Sequence, residues 1–402
     1  MEHPPTTTRF GRVDYRDDHR IFGIKDADRL HHMHIIGKTG TGKSTLLETM
    51  IHEDIARGKG VAVIDPHGDV VERISRSIPQ HRIDDLRYFN VPDSNQPYGY
   101  NPLARVHPSQ AALAASGVLD VFKKVWSSHW GVRMEHLMRN VLLALFEQPH
   151  DMIMPDILRL LMDDQFRVEV LVHVKNSEVR RFWEQEYLNY SPRQRIEVCM
   201  PIQTRVGAFL ADPRLRKILT NPQEPLSLRR IMDEGQILLV NLSKGRLGED
   251  TAALLGALLI TRLGLAAFSR ANVSESERRP FYVYVDEFQH FTTQSVVSMA
   301  SELRKYRIGL TLAHQYLDQL DSDIRGAVLG NAGTLVAFRL GGKDAPYIAK
   351  EFQPHVETLD LINLPNYHMY LKLMIDGTPS KPFSAATLAP GDLHQEFVLD
   401  NE

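Results

Sequence analysis

The chain has 402 residues, of which 43% are hydrophobic and 24% charged, an ordinary globular composition that suits roughly two to three domain-sized units. Its 47 Lys and Arg against 50 Asp and Glu give a formal net charge of −3. A basic field over the whole molecule is therefore excluded, and any contact with nucleic acid must be local. The single cysteine, Cys199, excludes an intrachain disulfide framework and a cysteine-based zinc site, and we expect it to be a buried apolar residue.

Targeting and membrane signals are weak along the chain. The first residues, Met1 to Phe10, contain no apolar segment, and the longest charge-poor segment, Thr251 to Thr261, is shorter than the roughly 20 residues of a membrane span. We therefore expect a soluble, cytoplasmic protein with no membrane span of its own.

The first element with a chemical signature follows a small predicted β-element in residues 1–30. Residues 37–44 spell GKTGTGKS, a complete phosphate loop between an apolar strand and an amphipathic helix. Its glycines let backbone N–H groups turn toward phosphate oxygens, Lys43 can reach the β- and γ-phosphates, and the Ser44 hydroxyl can hold Mg²⁺. We assign nucleotide binding, with ATP and Mg²⁺ as cofactors, to these residues: Gly37, Lys38, Thr39, Gly40, Thr41, Gly42, Lys43, Ser44 and Thr45.

The next strand is the apolar run from Gly60 to Asp65, which is typical of a strand covered on both faces. It ends in Asp-Pro-His-Gly-Asp, so Asp65 and His67 either face the nucleotide or form a structural turn. A further short strand is predicted at 86–91.

Helical spacing dominates from Pro108 to Leu226, which predicts an inserted all-α segment. The three tryptophans, Trp126, Trp130 and Trp183, all lie in it; we expect them in its helical core, with base stacking as the weaker alternative.

Strands and helices alternate after the insert, which predicts an α/β fold with a doubly wound, mainly parallel sheet. The predicted strands are 236–242, 281–286, 309–314 and 334–340, and the predicted helices are 251–268, 296–306 and 343–352. A closing hairpin is predicted at 367–384, with its turn at Asp376-Gly377.

The second chemical element is the strand FYVYV at 281–285, which ends in Asp286-Glu287. Asp286 is positioned to bind Mg²⁺ opposite Ser44, and Glu287 to act as the general base that orients the attacking water. The alternative is a pair that merely ends a strand and caps a helix. Gln315, at the end of a later strand, either contacts the γ-phosphate or is a solvated strand end.

These motifs together resemble the HerA/FtsK superfamily of hexameric motors, and most closely its TraG/TraD-type conjugative coupling ATPases. The sequences that carry the resemblance are GKTGTGKST, VAVIDPHGD, LLVNLSKGRLGED, YVYVDEFQ, LRKYRIGLTLAHQ and GNAGTLVAFRLGG. The resemblance implies a RecA-like core, a ring of six subunits with ATP at their interfaces, and DNA as the cargo of a central pore. The short segment before Gly37 has no stretch apolar enough for the transmembrane helices of coupling proteins, so we expect neither those helices nor the N-terminal barrel of HerA proteins.

The resemblance also implies an arginine finger, a positive group that one subunit supplies to its neighbour's nucleotide. Arg304 matches the family's position, and Arg339 is the second candidate, as a finger or as a sensor within its own subunit. The basic stretch Ser243 to Gly248 is either a pore loop that holds the DNA backbone or a plain exposed connection.

The expected organisation is thus a RecA-like core in two parts, 31–107 and 227–390, with the all-α insert 108–226 between them and a tail at 391–402. We expect an ATP-hydrolysing hexameric ring that translocates DNA, in conjugation and type IV secretion or, alternatively, as a HerA-like motor partnered with a nuclease in DNA processing or phage defence. A third interpretation is an ATP-regulated ring scaffold that activates a partner such as a nuclease, a relaxase or another effector.

Overall fold

A computed structural model describes residues 7–14, 19–127, 130–220 and 222–392. Residues 7–14 and 19–30 of the predicted N-terminal β-element are described, and its residues 1–6 and 15–18 lie outside the described residues. Residues 393–402 of the predicted C-terminal tail lie outside the described residues.

Strands form at the apolar runs that the sequence indicates, and several additional strands are very short. They are β1 (Thr7–Val13), β2 (Ile21–Lys25), β3 (Met33–Ile36), β4 (Gly60–Asp65), β5 (Leu86–Asn90), β6 (Tyr98–Gly99), β7 (Glu224–Pro225), β8 (Ile237–Asn241), β9 (Phe281–Val285), β10 (Ile308–His314), β11 (Thr334–Ala337), β12 (His368–Lys372), β13 (Met374–Ile375), β14 (Thr378–Pro379) and β15 (Phe383–Thr387).

One large sheet organises the described residues, in the order β2-β1-β15-β12-β11-β3-β10-β9-β4-β8-β5. The seven strands from β11 to β5 run parallel, and β12, β15, β1 and β2 extend the sheet as antiparallel neighbours. The central strands β3, β4, β8 and β9 are buried at every residue because helices cover both faces. The predicted doubly wound, mainly parallel fold is confirmed.

Helices occupy the predicted helical stretches. They are α1 (Asp26–Arg29), α2 (Lys43–Ala56), α3 (Asp69–Ser75), α4 (Ala111–Val125), α5 (Val132–Phe146), α6 (Met154–Met162), α7 (Asp164–His173), α8 (Ser177–Arg181), α9 (Pro192–Leu210), α10 (Pro213–Thr220), α11 (Leu228–Glu234), α12 (Lys244–Leu247), α13 (Glu249–Ser269), α14 (Gln294–Leu303), α15 (Ser322–Asn331), α16 (Ala345–Phe352) and α17 (Thr358–Asn363).

The helical insert, α4 to α10, leaves and rejoins the core at one place. Two-residue strands β6 and β7 pair in parallel there, with Tyr98 opposite Glu224 and Gly99 opposite Pro225. Helix α4 also packs closely on core helix α13: a Cβ on Gly117 would come within 2.6 Å of Thr261 Cγ2. The insert therefore shares one continuous hydrophobic cluster with one face of the sheet.

The tryptophans of the insert serve its core, as predicted. Trp183 is fully buried, and Trp126 stacks on Phe122 with ring centroids 4.6 Å apart. Trp130 donates its indole N–H to Glu135 at 3.0 Å. Cys199 is buried as expected, and this burial raises the pKa of its thiol.

Helix α13 bears on the expectation about membrane spans. Together with the turn that follows it, the helix runs from Glu249 to Asn272, and within the described residues it is the one helix long and apolar enough to cross a membrane. Its apolar stretch is 67% buried in the protein. The apolar side chains of α13 are used in packing against α4, α11 and α14.

The closing hairpin has the predicted turn. Asp376 and Gly377 both have positive φ, of 50° and 77°, which is the geometry of a tight hairpin connection. Strand β11 is shorter than predicted, because the chain leaves the sheet after Ala337 to reach the phosphate loop.

Candidate nucleotide-binding site

The carboxyl ends of the central parallel strands open into one cavity of about 340 Å³. Open α/β sheets bind their ligands at this edge. The cavity is lined by Thr39, Gly40, Gly42, Lys43, Ser44, Thr45, Asp65, His67, Asp69, Val70, Arg73, Asp286, Glu287, Gln315 and Tyr367.

The phosphate loop connects β3 to α2, as its sequence predicts. Gly40 and Gly42 have φ of 75° and 120°, and a Cβ on Gly42 would lie 3.0 Å from the Phe338 ring. A Cβ on Gly37 would come within 2.5 Å of Phe338. Glycine is therefore required at Gly37 for space, and at Gly42 both for backbone conformation and for space.

Lys43, the first residue of α2, has its ammonium group beneath the loop. Its Nζ donates to the backbone carbonyls of Gly37 at 2.6 Å and Lys38 at 3.2 Å. Burial lowers the pKa of Lys43, and the negative charges of Glu287 and Asp286 oppose that effect. The cation is thus held between the loop and the carboxylate pair.

Asp286 lies at the end of β9 with 6% of its surface exposed. Burial, together with the charges of Asp65 and Glu287, raises its pKa to about 7, although Lys43 acts in the opposite direction. A buried carboxylate among other carboxylates is a position that a divalent cation would satisfy. Mg²⁺ prefers oxygen ligands and needs few from the protein when phosphates supply the rest, so Asp286 and the Ser44 hydroxyl fit it.

The described residues contain no group of three or more His, Cys, Asp or Glu side chains that could hold a metal ion by themselves.

Glu287 follows in the left-handed backbone conformation, with φ of 46°. Both of its carboxylate oxygens are occupied: Gln315 donates to Oε1 at 2.7 Å and Gln289 donates to Oε2 at 2.6 Å. The predicted general base, Glu287, is therefore in direct contact inside the cavity with Gln315, the glutamine that could contact the γ-phosphate.

Asp65 combines its two interpretations. Its carboxylate accepts the backbone N–H groups of His67 and Val70, both at 2.8 Å, which fixes the turn into α3. Asp65 and His67 also line the cavity.

Arg304 lies at the other edge of the sheet. It is exposed in the turn before β10, with Nη1 3.2 Å from Nδ1 of His31, which precedes β3. The seven residues of β10 separate this position from Gln315, a length of about 20 Å. Arg304 therefore does not reach the nucleotide cavity of its own subunit.

Arg339 lies beside the phosphate loop but outside the lining of the cavity. Its carbonyl accepts the N–H of Lys38 at 3.0 Å, and its guanidinium donates to Asn366 Oδ1 at 2.8 Å and to the carbonyl of Leu364 at 3.3 Å. The side chain thus holds the loop before β12.

The predicted pore segment is a short helix, α12, and not an open loop. Its first N–H, on Lys244, donates to the carbonyl of Pro66 at 2.9 Å, while the Arg246 side chain is exposed. The helix follows β8 at the same edge as the cavity.

Sequence reasoning missed three residues that line the cavity, Val70, Arg73 and Tyr367. Arg73 lies on α3 and pairs with Glu48 of α2, its Nε 3.1 Å from Oε1; a basic residue one turn into the helix after the Asp-Pro-His-Gly-Asp turn was a usable signal. Tyr367 had no such signal, because the sheet brings it to the phosphate loop from far along the chain.

A phosphate loop, a carboxylate pair and a strand-end glutamine at the carboxyl edge of a RecA-like sheet define the phosphate-loop NTPase fold. More particularly, residues 24–259 match the family described as "Helicase HerA, central domain". This match covers more than half of the chain, which therefore belongs to that family.

Solved structures with the same fold include two of the conjugative coupling protein TrwB. The unbound TrwBdeltaN70 has a TM-score of 0.64 at 16% identity, covering 94% of this chain and 88% of that one. TrwB in complex with ADP and Mg²⁺ has a TM-score of 0.63 at 16% identity, covering 95% and 94%. VirB4 of Thermoanaerobacter pseudethanolicus has a TM-score of 0.58 at 14% identity and covers 96% of each chain. No curated protein matches the sequence.

Proposed function

We propose that this protein is a Mg²⁺-dependent ATPase that assembles into a hexameric ring and translocates DNA, as a coupling-protein-like motor. The observation that carries the proposal is the single cavity in which Lys43, Asp286, Glu287 and Gln315 meet. A nucleotide-binding protein without hydrolysis has no need of a buried glutamate next to its metal-binding aspartate. The TrwB structure in complex with ADP and Mg²⁺ supports the choice of nucleotide and metal by likeness of fold.

The roles of the residues follow from their positions. The N–H groups of the phosphate loop and Lys43 bind the β- and γ-phosphates, while Ser44 and Asp286 hold the metal. When bound, Mg²⁺ neutralises charge that develops on the phosphates. Glu287 orients the attacking water, and Gln315 contacts either the water or the γ-phosphate.

The position of Arg304 supports a ring. Since it is exposed and lies about 20 Å from its own cavity along β10, a role in hydrolysis would have to be at another subunit's nucleotide. For Arg304 to act as an arginine finger, the subunits must pack so that the cavity of one lies against the sheet edge of the next that carries Arg304.

The test is ATP hydrolysis by the whole chain, measured with and without long double-stranded and single-stranded DNA. We expect DNA to stimulate hydrolysis by the unmodified protein. Lys43→Ala should lose nucleotide affinity. Glu287→Gln should still bind ATP but hydrolyse it at least about a hundred-fold more slowly than the unmodified protein.

Each alternative outcome is informative. Wild-type turnover in Glu287→Gln would contradict the role of the base. Hydrolysis that is indifferent to DNA but changed by a partner protein would contradict translocation and favour the ring scaffold.

A further inference from the structure

Tyr367 stands out in the cavity because its backbone is strained and its ring is not buried. It has φ of 66°, a conformation that L-residues with large side chains rarely adopt, and it is 51% exposed. A ring that is half in solvent gains too little from packing to explain such a conformation. Strained residues of this kind cluster at ligand sites.

The backbone of Tyr367 is held from two directions. Its N–H donates to the carbonyl of Thr41, within the phosphate loop, at 2.7 Å, and its carbonyl accepts the N–H of Thr387, at the end of β15, at 2.8 Å. Arg339 fixes the residue before it through Asn366 Oδ1, at 2.8 Å. The ring is therefore carried on a rigid support that moves with the phosphate loop.

The ring lies directly against the loop. A Cβ on Gly42 would lie 3.1 Å from Tyr367 Cα and 3.2 Å from the ring atom Cδ1. The absence of a side chain at Gly42 thus lets the tyrosine approach the backbone that cradles phosphate.

The order of the sheet separates this ring from the hydrolytic groups. The phosphate loop follows β3; Gln315, Asp286 and Asp65 follow β10, β9 and β4 on one side, whereas Tyr367 precedes β12 on the other. A nucleotide whose γ-phosphate points to the carboxylates has its base at the opposite end, the side on which Tyr367 lies.

We infer that Tyr367 is the stacking platform for the base of the bound nucleoside triphosphate, an inference that rests on the function proposed above. Stacking on an aromatic ring tolerates every base, because each has a π-face. Tyr367 therefore distinguishes a nucleotide from a bare polyphosphate, and contributes little to the choice between ATP and GTP.

The test compares three ligands with the whole chain in the presence of Mg²⁺: ATP, GTP and inorganic tripolyphosphate. Tyr367→Gly removes the ring and also relieves the positive φ, so it should fold at least as stably as the unmodified protein. We expect it to bind ATP and GTP about ten-fold more weakly and tripolyphosphate equally well. Tyr367→Phe should keep the affinity for all three.

The matched control is Tyr347→Ala, which removes another exposed tyrosine that contacts Arg325 outside the cavity and should change none of the affinities. Equal losses for ATP and tripolyphosphate in Tyr367→Gly would overturn the inference, since the residue would then act on the phosphate loop itself. Unchanged ATP affinity in Tyr367→Gly would also overturn it. Failure of the unmodified protein to bind ATP would instead overturn the proposed function.

Discussion

At the scale of single residues, the distance between Arg304 and the nucleotide cavity of its own subunit leads to a prediction. Arg304→Ala should retain ATP binding and lose hydrolysis by about a thousand-fold or more, because its guanidinium stabilises charge on a neighbour's phosphate. Mixed with inactive Lys43→Ala, it should recover part of the activity at interfaces where an intact cavity meets an intact Arg304. The measurement is turnover in mixed rings whose composition is verified.

The matched variant is Lys305→Ala, which removes the adjacent charge, paired with Glu302, and should leave turnover unchanged. No recovery in verified mixed rings would argue against action between subunits and would direct attention to Arg339, which lies beside the phosphate loop of its own subunit.

A second residue-scale prediction concerns stability and pH. His32 is buried and neutral: Leu310 N–H donates to its Nδ1 at 3.1 Å, and its Nε2 lies 2.9 Å from the carbonyl of Ala300. Burial, with help from the charges of His31 and Arg304, lowers the pKa of His32 from 6.5 to about 4. A proton on Nδ1 would also face that N–H donor.

Since the folded-state pKa is the lower one, the unfolded chain binds a proton that the folded chain refuses between pH 6.5 and about 4. The contribution of the neutral His32 to the free energy of unfolding is fully present above pH 6.5. It declines as the pH falls below that value, by up to about 1.4 kcal/mol per pH unit. Urea unfolding at pH 7.5 and 5.5 measures the free energy of unfolding at each pH. Between these values His32→Asn should lose less of it than the unmodified protein does, and Asn tolerates the φ of 65° at this position. His81→Asn, at an exposed histidine, is the control. If it reduced the loss of stability between pH 7.5 and 5.5 by the same amount, the assignment to His32 would be wrong.

Sequence reasoning located the residues that act through local motifs and missed those assembled by the fold. Lys43 and Ser44 take their positions from a loop eight residues long, so their placement was readable from the chain. Tyr367 reaches the same cavity through pairing of β12 and β15 near the end of the chain, and no local pattern encodes that approach.

At the scale of elements, apolar runs predicted the buried strands well, because strands covered on both faces need apolar residues at every position. The two-residue strands β6 and β7 were not predictable, since two residues show no periodicity. Helix α12 was expected to be a loop because Gly245 within it and Gly248 directly after it are residues typical of turns.

The basic helix α12 carries the prediction about cargo. Lys244→Ala with Arg246→Ala should weaken DNA binding and DNA-stimulated hydrolysis together, with basal hydrolysis nearly unchanged. Six copies around one duplex would neutralise several phosphates, so the double variant should also show a shallower dependence of affinity on salt. Binding titrations at several salt concentrations measure both effects.

The control is Arg229→Ala with Arg230→Ala on α11, which removes the same charge at the opposite end of β8. If this control weakened binding as much as the α12 variant, a general charge effect would replace the local contact. Tight binding by a monomeric form, unchanged in the α12 variant, would point to the helical insert.

At the scale of the whole molecule, the shared hydrophobic cluster predicts cooperative unfolding of core and insert. The buried residues of α4, α5 and α13 belong to the same cluster as strands β8 and β9, so the insert cannot lose its packing without exposing the core. All three tryptophans report on the insert, whereas far-ultraviolet circular dichroism reports on the whole chain. The two urea transitions should coincide.

An earlier fluorescence transition would mean that the insert unfolds separately and that the predicted division at 108–226 is also a division of stability. Thr261→Val, at the contact of α13 with α4, should shift both midpoints by the same amount.

The hydrogen bonds from two amide side chains to Glu287 connect the cavity with the opposite edge of the sheet. Gln315 donates to one oxygen and Gln289 to the other, so each oxygen keeps one acceptor site for a water molecule. Gln315 holds the carboxylate from the end of β10, the strand that runs back to the edge where Arg304 lies. In the ring proposed above, a contact that Arg304 made with a neighbouring subunit would lie at the start of the strand that ends in the amide holding Glu287.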